Sequence, residues 1–245
     1  MRIAAIIPAH NEAATIVDVA CRARSFVPQV TVIDDGSTDG TAQCVQDLDV
    51  VLLRNAVNQG KGASLWRGMQ WALDAGAEMI VTLDGDGQHR PQDIPRLLEA
   101  AARYPGAIVI GARLRGRTRS PRMRRYANAF ADFWISWAAG HRIADSQSGF
   151  RLYPAELLRR IRVAHDREHG FVFESEILIE AACLGVRSVS VEIDSIYAAA
   201  RASHYRAIAD TARIVRMVAW KLIRRGLYPR GLMRVLRTQP ELVDV

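Results

Sequence analysis

The stretch Val81-Thr-Leu-Asp84-Gly-Asp86-Gly-Gln88-His89 narrows the choice of fold more than any other part of the chain. It opens with an apolar run from Met79 to Leu83, which predicts a short buried strand. The run stops on two aspartates interleaved with glycine. An Asp at the carboxyl end of a strand in an α/β sheet faces the crevice where such folds bind ligands. Asp84 and Asp86 are two residues apart, so a slightly irregular backbone aims both at one point. Two hard oxygen donors beside a diphosphate are what Mg²⁺ or Mn²⁺ favours. Gly85 and Gly87 let a bulky ligand approach the backbone. A solvated Asp/Gly turn has the same composition, so the rest of the chain must decide.

The same design recurs upstream. Ile3 to Ile7 predicts a first strand, ended by Pro8 and followed by a turn at Ala9-His10-Asn11-Glu12. Glu12 to Arg24 has helical apolar spacing at Ile16, Val17, Val19 and Ala20. Val30 to Ile33 predicts a second strand running into Asp34-Asp35-Gly36-Ser37-Thr38-Asp39-Gly40-Thr41, where Asp39 or Thr38 can cap the next helix. Val50 to Leu53 is a third strand. Asn58-Gln-Gly60-Lys61-Gly62 then opens a helix through Trp66, Met69 and Leu73. Its spacing is not that of a P-loop, yet Lys61 at a helix N-terminus can receive an anion or simply be solvated. After the strand to Asp84 come a helix from Pro91 to Arg103 and a strand from Ala107 to Ile110. Alternation of this kind predicts a mostly parallel sheet sandwiched by helices.

The pattern changes after Gly111-Ala112-Arg113. Gly111 to Arg125 holds seven arginines and no acid, and reads as a loop. Arg124 to Ala139 is a predicted helix with aromatic bulk at Tyr126, Phe130, Phe133, Trp134 and Trp137. Asp145 to Arg151 is a polar loop before a short strand. Phe171 to Leu184 is a helix with Glu174 and Glu176 in its first turns, where they suit the helix dipole. Val186 to Ile196 is a last strand, and a basic amphipathic helix runs from about Arg206 to Arg225. Residues 1–204 are expected to form the α/β domain and 205–245 a basic helical extension.

The formal charge of +7 is concentrated in two basic stretches, which points to phosphate-rich partners: nucleic acid, an anionic membrane surface or a diphosphate. No helix-turn-helix, RNA-stacking or zinc pattern accompanies the charge, so nucleic acid is not expected. Met1-Arg2-Ile3 leads directly into Ile6-Ile7-Pro8, too short for a signal-peptide core. The nearest approach to a membrane span, Ala127 to Gly140, is short and contains Asp132. Cys21, Cys44 and Cys183 have no metal spacing and are expected to be reduced core thiols. A cytoplasmic protein, attached peripherally to the inner face of the membrane, is the expectation.

Seven motifs in order resemble the family 2 glycosyltransferases of GT-A fold. They are Ile7-Pro8-Ala9-His10-Asn11-Glu12, Val32 to Thr41, Asn58 to Gly62, Leu83 to His89, Gly111-Ala112-Arg113, Asp145 to Arg151 and Phe173-Glu174-Ser175-Glu176. Within that family the chain looks most like the dolichyl/polyprenyl-phosphate branch. It departs where Gly85 and Gly87 replace Ala and Leu, where Arg90 replaces Pro, and where the late loop reads Arg201-Ala-Ser203-His-Tyr. The resemblance implies that 1–112 is a nucleotide-binding half and 113–204 an acceptor half, and that Pro8, Ala9, Glu12, Asp34 and Asp35 line the nucleoside pocket. It implies that Asp84 and Gly85 meet the nucleotide sugar, with Lys61 available to its phosphates, and that Asp84, Asp86 and Gln88 hold Mg²⁺ or Mn²⁺. Arg113 and Arg201, with Ser203, would meet phosphate charge, as would Arg124 or Arg125.

The implied reaction is inverting transfer of a sugar from a UDP- or GDP-sugar to a polyprenyl-phosphate or related lipid acceptor. Catalytic candidates are Asp86, Arg113, Arg201, Asp145 and Glu174. A lipid phosphate is already ionised and needs no base, whereas a hydroxyl acceptor (glycolipid or polysaccharide) would require one, and Asp145, Glu174 and Glu176 are the candidates. A protein that binds nucleotide sugars or nucleic acid without catalysis is the remaining alternative.

Overall fold

The computed structural model describes residues 1–115, 122–163, 172–194 and 207–245. Seven strands form one sheet: β1 (Ile3–Ala9), β2 (Gln29–Asp34), β3 (Val51–Arg54), β4 (Met79–Thr82), β5 (Ile108–Arg115), β6 (Arg151–Pro154) and β7 (Ser188–Asp194). Their order is β3-β2-β1-β4-β6-β5-β7. Every pairing is parallel except those of β6, which runs antiparallel to both β4 and β5. The carboxyl ends of β1, β2, β4 and β5 therefore share one edge of the sheet with the start of β6. The chain order reverses between β1 and β4, which is where an open α/β sheet leaves its ligand crevice.

The strands alternate their residues between two apolar layers, as a period of two requires. Ala4, Ile6, Ile33, Ile80, Ile108 and Ile110 face one layer. Ala5, Ile7, Val30, Val32, Val81 and Val109 face the other. The first layer is covered by α3 (Lys61–Asp74), α5 (Arg122–Ala139), α6 (Ala155–Arg160), α7 (Phe173–Cys183) and α8 (Ala207–Arg224). The second is covered by α1 (Ile16–Arg24), α2 (Thr41–Val45) and α4 (Ile94–Arg103). A last helix, α9 (Pro229–Arg237), packs beside α5. Residues 241–243 then lie along β7, with the Ser190 N–H donating to the Glu241 carbonyl and the Val243 N–H to that of Ser190.

Gly68 shows how tightly α3 seats on the sheet. A Cβ there would sit 2.6 Å from both Ile33 Cδ1 and Ile6 Cγ2. Gly68→Ala is expected to destabilise the fold by about 1–3 kcal/mol through overpacking, read as a lower urea midpoint. Turnover per folded molecule should stay unchanged, because the clash lies in the core.

Several boundaries differ from the sequence expectation for identifiable reasons. The first helix starts at Ile16, not Glu12, because the preceding turn is stitched to the β2–α2 loop instead. The N–H groups of Asn11, Glu12 and Ala13 donate to Ser37 Oγ, Thr41 Oγ1 and Asp39 Oδ2 at 2.9, 2.8 and 3.0 Å. Asp39 also accepts the Thr41 N–H in the first turn of α2, whereas the Thr38 N–H donates to Asn11. The arginine-rich loop is shorter than expected on the described side, since β5 continues to Arg115; residues 116–121 lie outside the described residues. Helices α6 and α9 were not foreseen; both are short and bury few apolar residues. The three cysteines are exposed rather than in the core, because they fall on the solvent sides of α1 and α2 and at the end of α7.

Candidate active site

The two aspartates after β4 are held by different parts of the chain. Asp84 Oδ1 lies 2.6 Å from Lys61 Nζ, and the same ammonium is 3.0 Å from Glu174 Oε2. Lys61 is the first residue of α3 and Glu174 is in the first turn of α7, so two helix starts converge on the end of one strand. Burial alone would raise the Asp84 carboxyl, but the Lys61 ammonium outweighs it and holds the group at about 2 against an ordinary 3.8. The stabilisation carried by this depressed carboxylate is present above the ordinary value and is lost as pH falls toward 2. For Lys61 burial would lower the ammonium, and Asp84 and Glu174 reverse that and raise it.

His89 closes the far side of Asp84. It is buried, its ring lies 5.5 Å from that of Phe150, and its Nδ1 accepts the Asp84 backbone N–H at 3.3 Å. That bond places the ring proton on Nε2. Burial depresses the imidazole below its ordinary value, so it is neutral at pH 7. Asp86 Oδ1 accepts the Gln88 N–H at 2.9 Å, which curls the loop between them. Gly85 is packed under the crevice floor: a Cβ would lie 3.2 Å from the Pro8 carbonyl and 3.3 Å from Ala9 Cβ. Thr15 donates to the Gly85 carbonyl at 2.8 Å and lies 3.3 Å from Glu12 Oε2, which brings Glu12 beside the same turn.

Gly149 occupies the centre of the charged cluster. A Cβ on it would stand 2.9 Å from Lys61 Nζ, 3.0 Å from Asp84 Oδ2 and 3.0 Å from Glu174 Oε1. Its carbonyl is fixed by the buried Thr82 hydroxyl at 2.8 Å.

Asp34 and Asp35, adjacent in sequence, do separate work. Asp34 accepts the Ser37 N–H at 3.1 Å and Arg54 Nε at 3.3 Å. Asp35 accepts Asn55 Nδ2 and the N–H groups of Gln59 and Gly60, at 2.7, 2.8 and 2.9 Å. It thereby anchors the loop that delivers Lys61, an indirect contribution to the site that the motif alone does not disclose.

Arg113, on β5, grips Asp145 with two parallel bonds, Nε to Oδ2 at 2.8 Å and Nη2 to Oδ1 at 2.9 Å, and adds its backbone N–H to Oδ2 at 3.0 Å. A planar guanidinium held bidentately is fixed in orientation as well as position. The loop from 145 to 149 is held from below by two groups that the sequence did not single out as functional. Arg151 is fully buried and donates to the carbonyls of Ser146, Ser148 and Glu174 at 2.8, 2.7 and 2.5 Å. Asp132 on α5 accepts both the N–H and the hydroxyl of Ser146, at 2.8 and 2.7 Å. The signal for Asp132 was present, an acid inside an otherwise apolar, aromatic helix. Arg151 carries none. Arg201 and Ser203 lie outside the described residues; Arg125 is exposed on α5.

Among the described residues, no group of three or more His, Cys, Asp and Glu side chains gathers as a self-sufficient metal site. Asp84, Asp86 and the Gln88 amide offer the hard oxygen donors that Mg²⁺ or Mn²⁺ favours beside a substrate diphosphate and water. The donor chemistry fits such a shared ion.

Comparison with known proteins points the same way. The family described as Glycosyl transferase family 2 matches residues 4–165. An undecaprenyl-phosphate mannosyltransferase of Micrococcus luteus is 33% identical over 208 residues, covering 79% of this chain and 83% of that protein. A polyprenol monophosphomannose synthase of Mycolicibacterium smegmatis is 30% identical over 200 residues, covering 77% of this chain and 75% of its own length. Among solved structures, glucosyl-3-phosphoglycerate synthase of Mycobacterium tuberculosis, bound to Mn²⁺, uridine diphosphate and phosphoglyceric acid, superposes with a TM-score of 0.67 at 22% identity. That match covers 91% of this chain and 78% of the other.

Proposed function

The chain belongs to glycosyl transferase family 2 and is a glycosyltransferase; from that premise we propose that it moves a sugar from a nucleoside-diphosphate donor to a polyprenyl phosphate. The observation that carries the choice of acceptor is that the three carboxylates considered as a base are already ion-paired, Asp145 with Arg113, Glu174 with Lys61 and Glu176 with Lys221. A phosphate oxygen needs no base. It attacks the anomeric carbon, the bond from that carbon to the donor's β-phosphate oxygen breaks, and the electron pair leaves with the nucleoside diphosphate. No proton moves. The negative charge that develops on the leaving group is met by fixed positive groups, with Lys61 and the clamped Arg113 guanidinium in that role. When bound at Asp84, Asp86 and Gln88, Mg²⁺ or Mn²⁺ supplies further charge neutralisation of the diphosphate. Pro8, Ala9 and Glu12 line the nucleoside side of the crevice.

Two surface features support a lipid acceptor. A cleft between α7 and α8, beside the turn that bears Glu174, is lined by Ile179, Met217 and Trp220 together with Arg213, Arg216 and Arg224. Farther along, Trp220, Ile223, Leu227 and Leu236 are 57–68% exposed, interspersed with Arg224, Arg230, Arg234 and Arg237. Residues 212–237 include no acid. Among the described residues no helix is long and apolar enough to cross a membrane, so this basic, apolar face is the part suited to rest on an anionic bilayer.

The test is a thermal-shift and turnover panel of UDP- and GDP-sugars with and without Mn²⁺, repeated with polyprenyl phosphate. One donor should stabilise the protein in a metal-dependent way, and turnover should rise only with the lipid. A donor that binds while the lipid does nothing would favour a hydroxyl acceptor. Asp145→Asn separates the same two readings. As an orienting partner of Arg113 it should cost roughly tenfold, whereas loss of a general base costs about 10²–10⁴-fold.

A further inference from the structure

Lys61 sits between two carboxylates that are unequally satisfied. Asp84 is contacted by the ammonium, and its backbone N–H is tied to His89. Glu174 meets the ammonium through Oε2; Oε1 is buried and has no hydrogen-bond partner among the described residues. A buried acceptor left empty costs free energy, so it marks a place where a donor is expected in some other state of the site. The two carboxylates face each other over Gly149, whose missing side chain is what leaves the path from one to the other open. The lysine stem is flexible and its head carries three protons, so it can change partner without moving α3.

We infer that Lys61 is a resident cation that competes with the divalent metal for Asp84, and that Glu174 is the position it retreats to. In the structure the ammonium is shared. When Asp84 turns toward a metal, two positive charges cannot share one carboxylate cheaply, and Nζ moves onto Glu174, where Oε1 accepts a hydrogen bond from the N–H that Asp84 released. Glu174 is thus a positioning residue: it acts through Lys61 and is not a ligand. The inference rests on the reading of Asp84 and Asp86 as metal-holding residues.

The experiment is Mn²⁺ titration of the full chain, without donor, followed by the electron paramagnetic resonance signal of free Mn²⁺. Wild type, Lys61→Met, Glu174→Gln and the double variant are compared, with melting curves to verify folding. Lys61→Met should bind Mn²⁺ about tenfold more tightly, and Glu174→Gln severalfold more weakly, because the ammonium then has nowhere else to go. On the Lys61→Met background the Glu174→Gln effect should vanish. If it persists undiminished, Glu174 acts by simple charge or direct ligation, and the inference is overturned. It is also overturned if Lys61→Met binds no more tightly than wild type. Wild type and Lys61→Met both failing to bind Mn²⁺, even with a nucleoside diphosphate present, would remove the metal reading itself, a result distinct from a folded, metal-binding set of variants with no coupling.

Discussion

Replacing Asp86 by alanine should lower donor turnover by about a thousandfold while leaving the melting temperature nearly unchanged. The residue lies in the loop after β4, where its carboxylate accepts the Gln88 N–H two residues on, a bond of the loop and not of the core. The site loses much more. In the proposed metal site Asp86 is one of two carboxylates, and the other, Asp84, is shared with Lys61. Charge neutralisation of a departing diphosphate supplies several kcal/mol, and each 1.36 kcal/mol is tenfold in rate. Excess Mn²⁺ should restore part of the activity if the variant merely binds metal weakly. Turnover within a factor of three of wild type would end the assignment of Asp86.

Gly149→Ala is the second large effect expected, and it is informative because it adds a single methyl group. The methyl would stand 2.9 Å from Lys61 Nζ and 3.0 Å from one oxygen each of Asp84 and Glu174. Its clash is with the far end of a flexible lysine, so the fold can yield by pushing the ammonium aside. Turnover is expected to fall by about a hundredfold, the scale of loss that a misplacement of about 1 Å brings, with a melting temperature lowered by only a few degrees. This is the reverse of Gly68→Ala, where the methyl meets Ile6 and Ile33 in the core and stability suffers while the chemistry does not. Measuring both variants for melting and turnover checks the contrast directly. A Gly149→Ala protein that turns over normally would mean the Lys61 cluster is not part of the working site.

The strand-end acids could be read from sequence because their meaning is local. An apolar run that stops on Asp35 or Asp84 needs only the rule that parallel strands present their carboxyl ends to a crevice. The Lys61–Asp84–Glu174 cluster could not be read in the same way, since its three members come from α3, the end of β4 and α7, and their meeting depends on how two helix starts are seated. Each taken singly had an ordinary explanation: a solvated lysine, a turn aspartate, a glutamate suited to a helix dipole. The reversed direction of β6 was equally silent, because four residues, Arg151 to Pro154, show no pattern that distinguishes direction. Arg151 was quoted as the last letter of a loop motif. Its role as the buried hub beneath that loop follows from depth, which a sequence does not record.

The strip formed by residues 241–243 along Ser190 has a consequence for how copies of this molecule meet one another. An outermost strand offers a row of unpaired amides and carbonyls to any neighbouring chain, and is the usual seed of aggregation. Here one border of the sheet is β3, only four residues long and ending in Arg54. The other is β7, over which the strip lies, pinned by Arg96 to the Val245 carbonyl and by Arg103 to that of Asp244. One margin is thus too short to template a partner and the other is covered at its centre, at Ser190, so crowding need not lead to strand-to-strand joining between molecules.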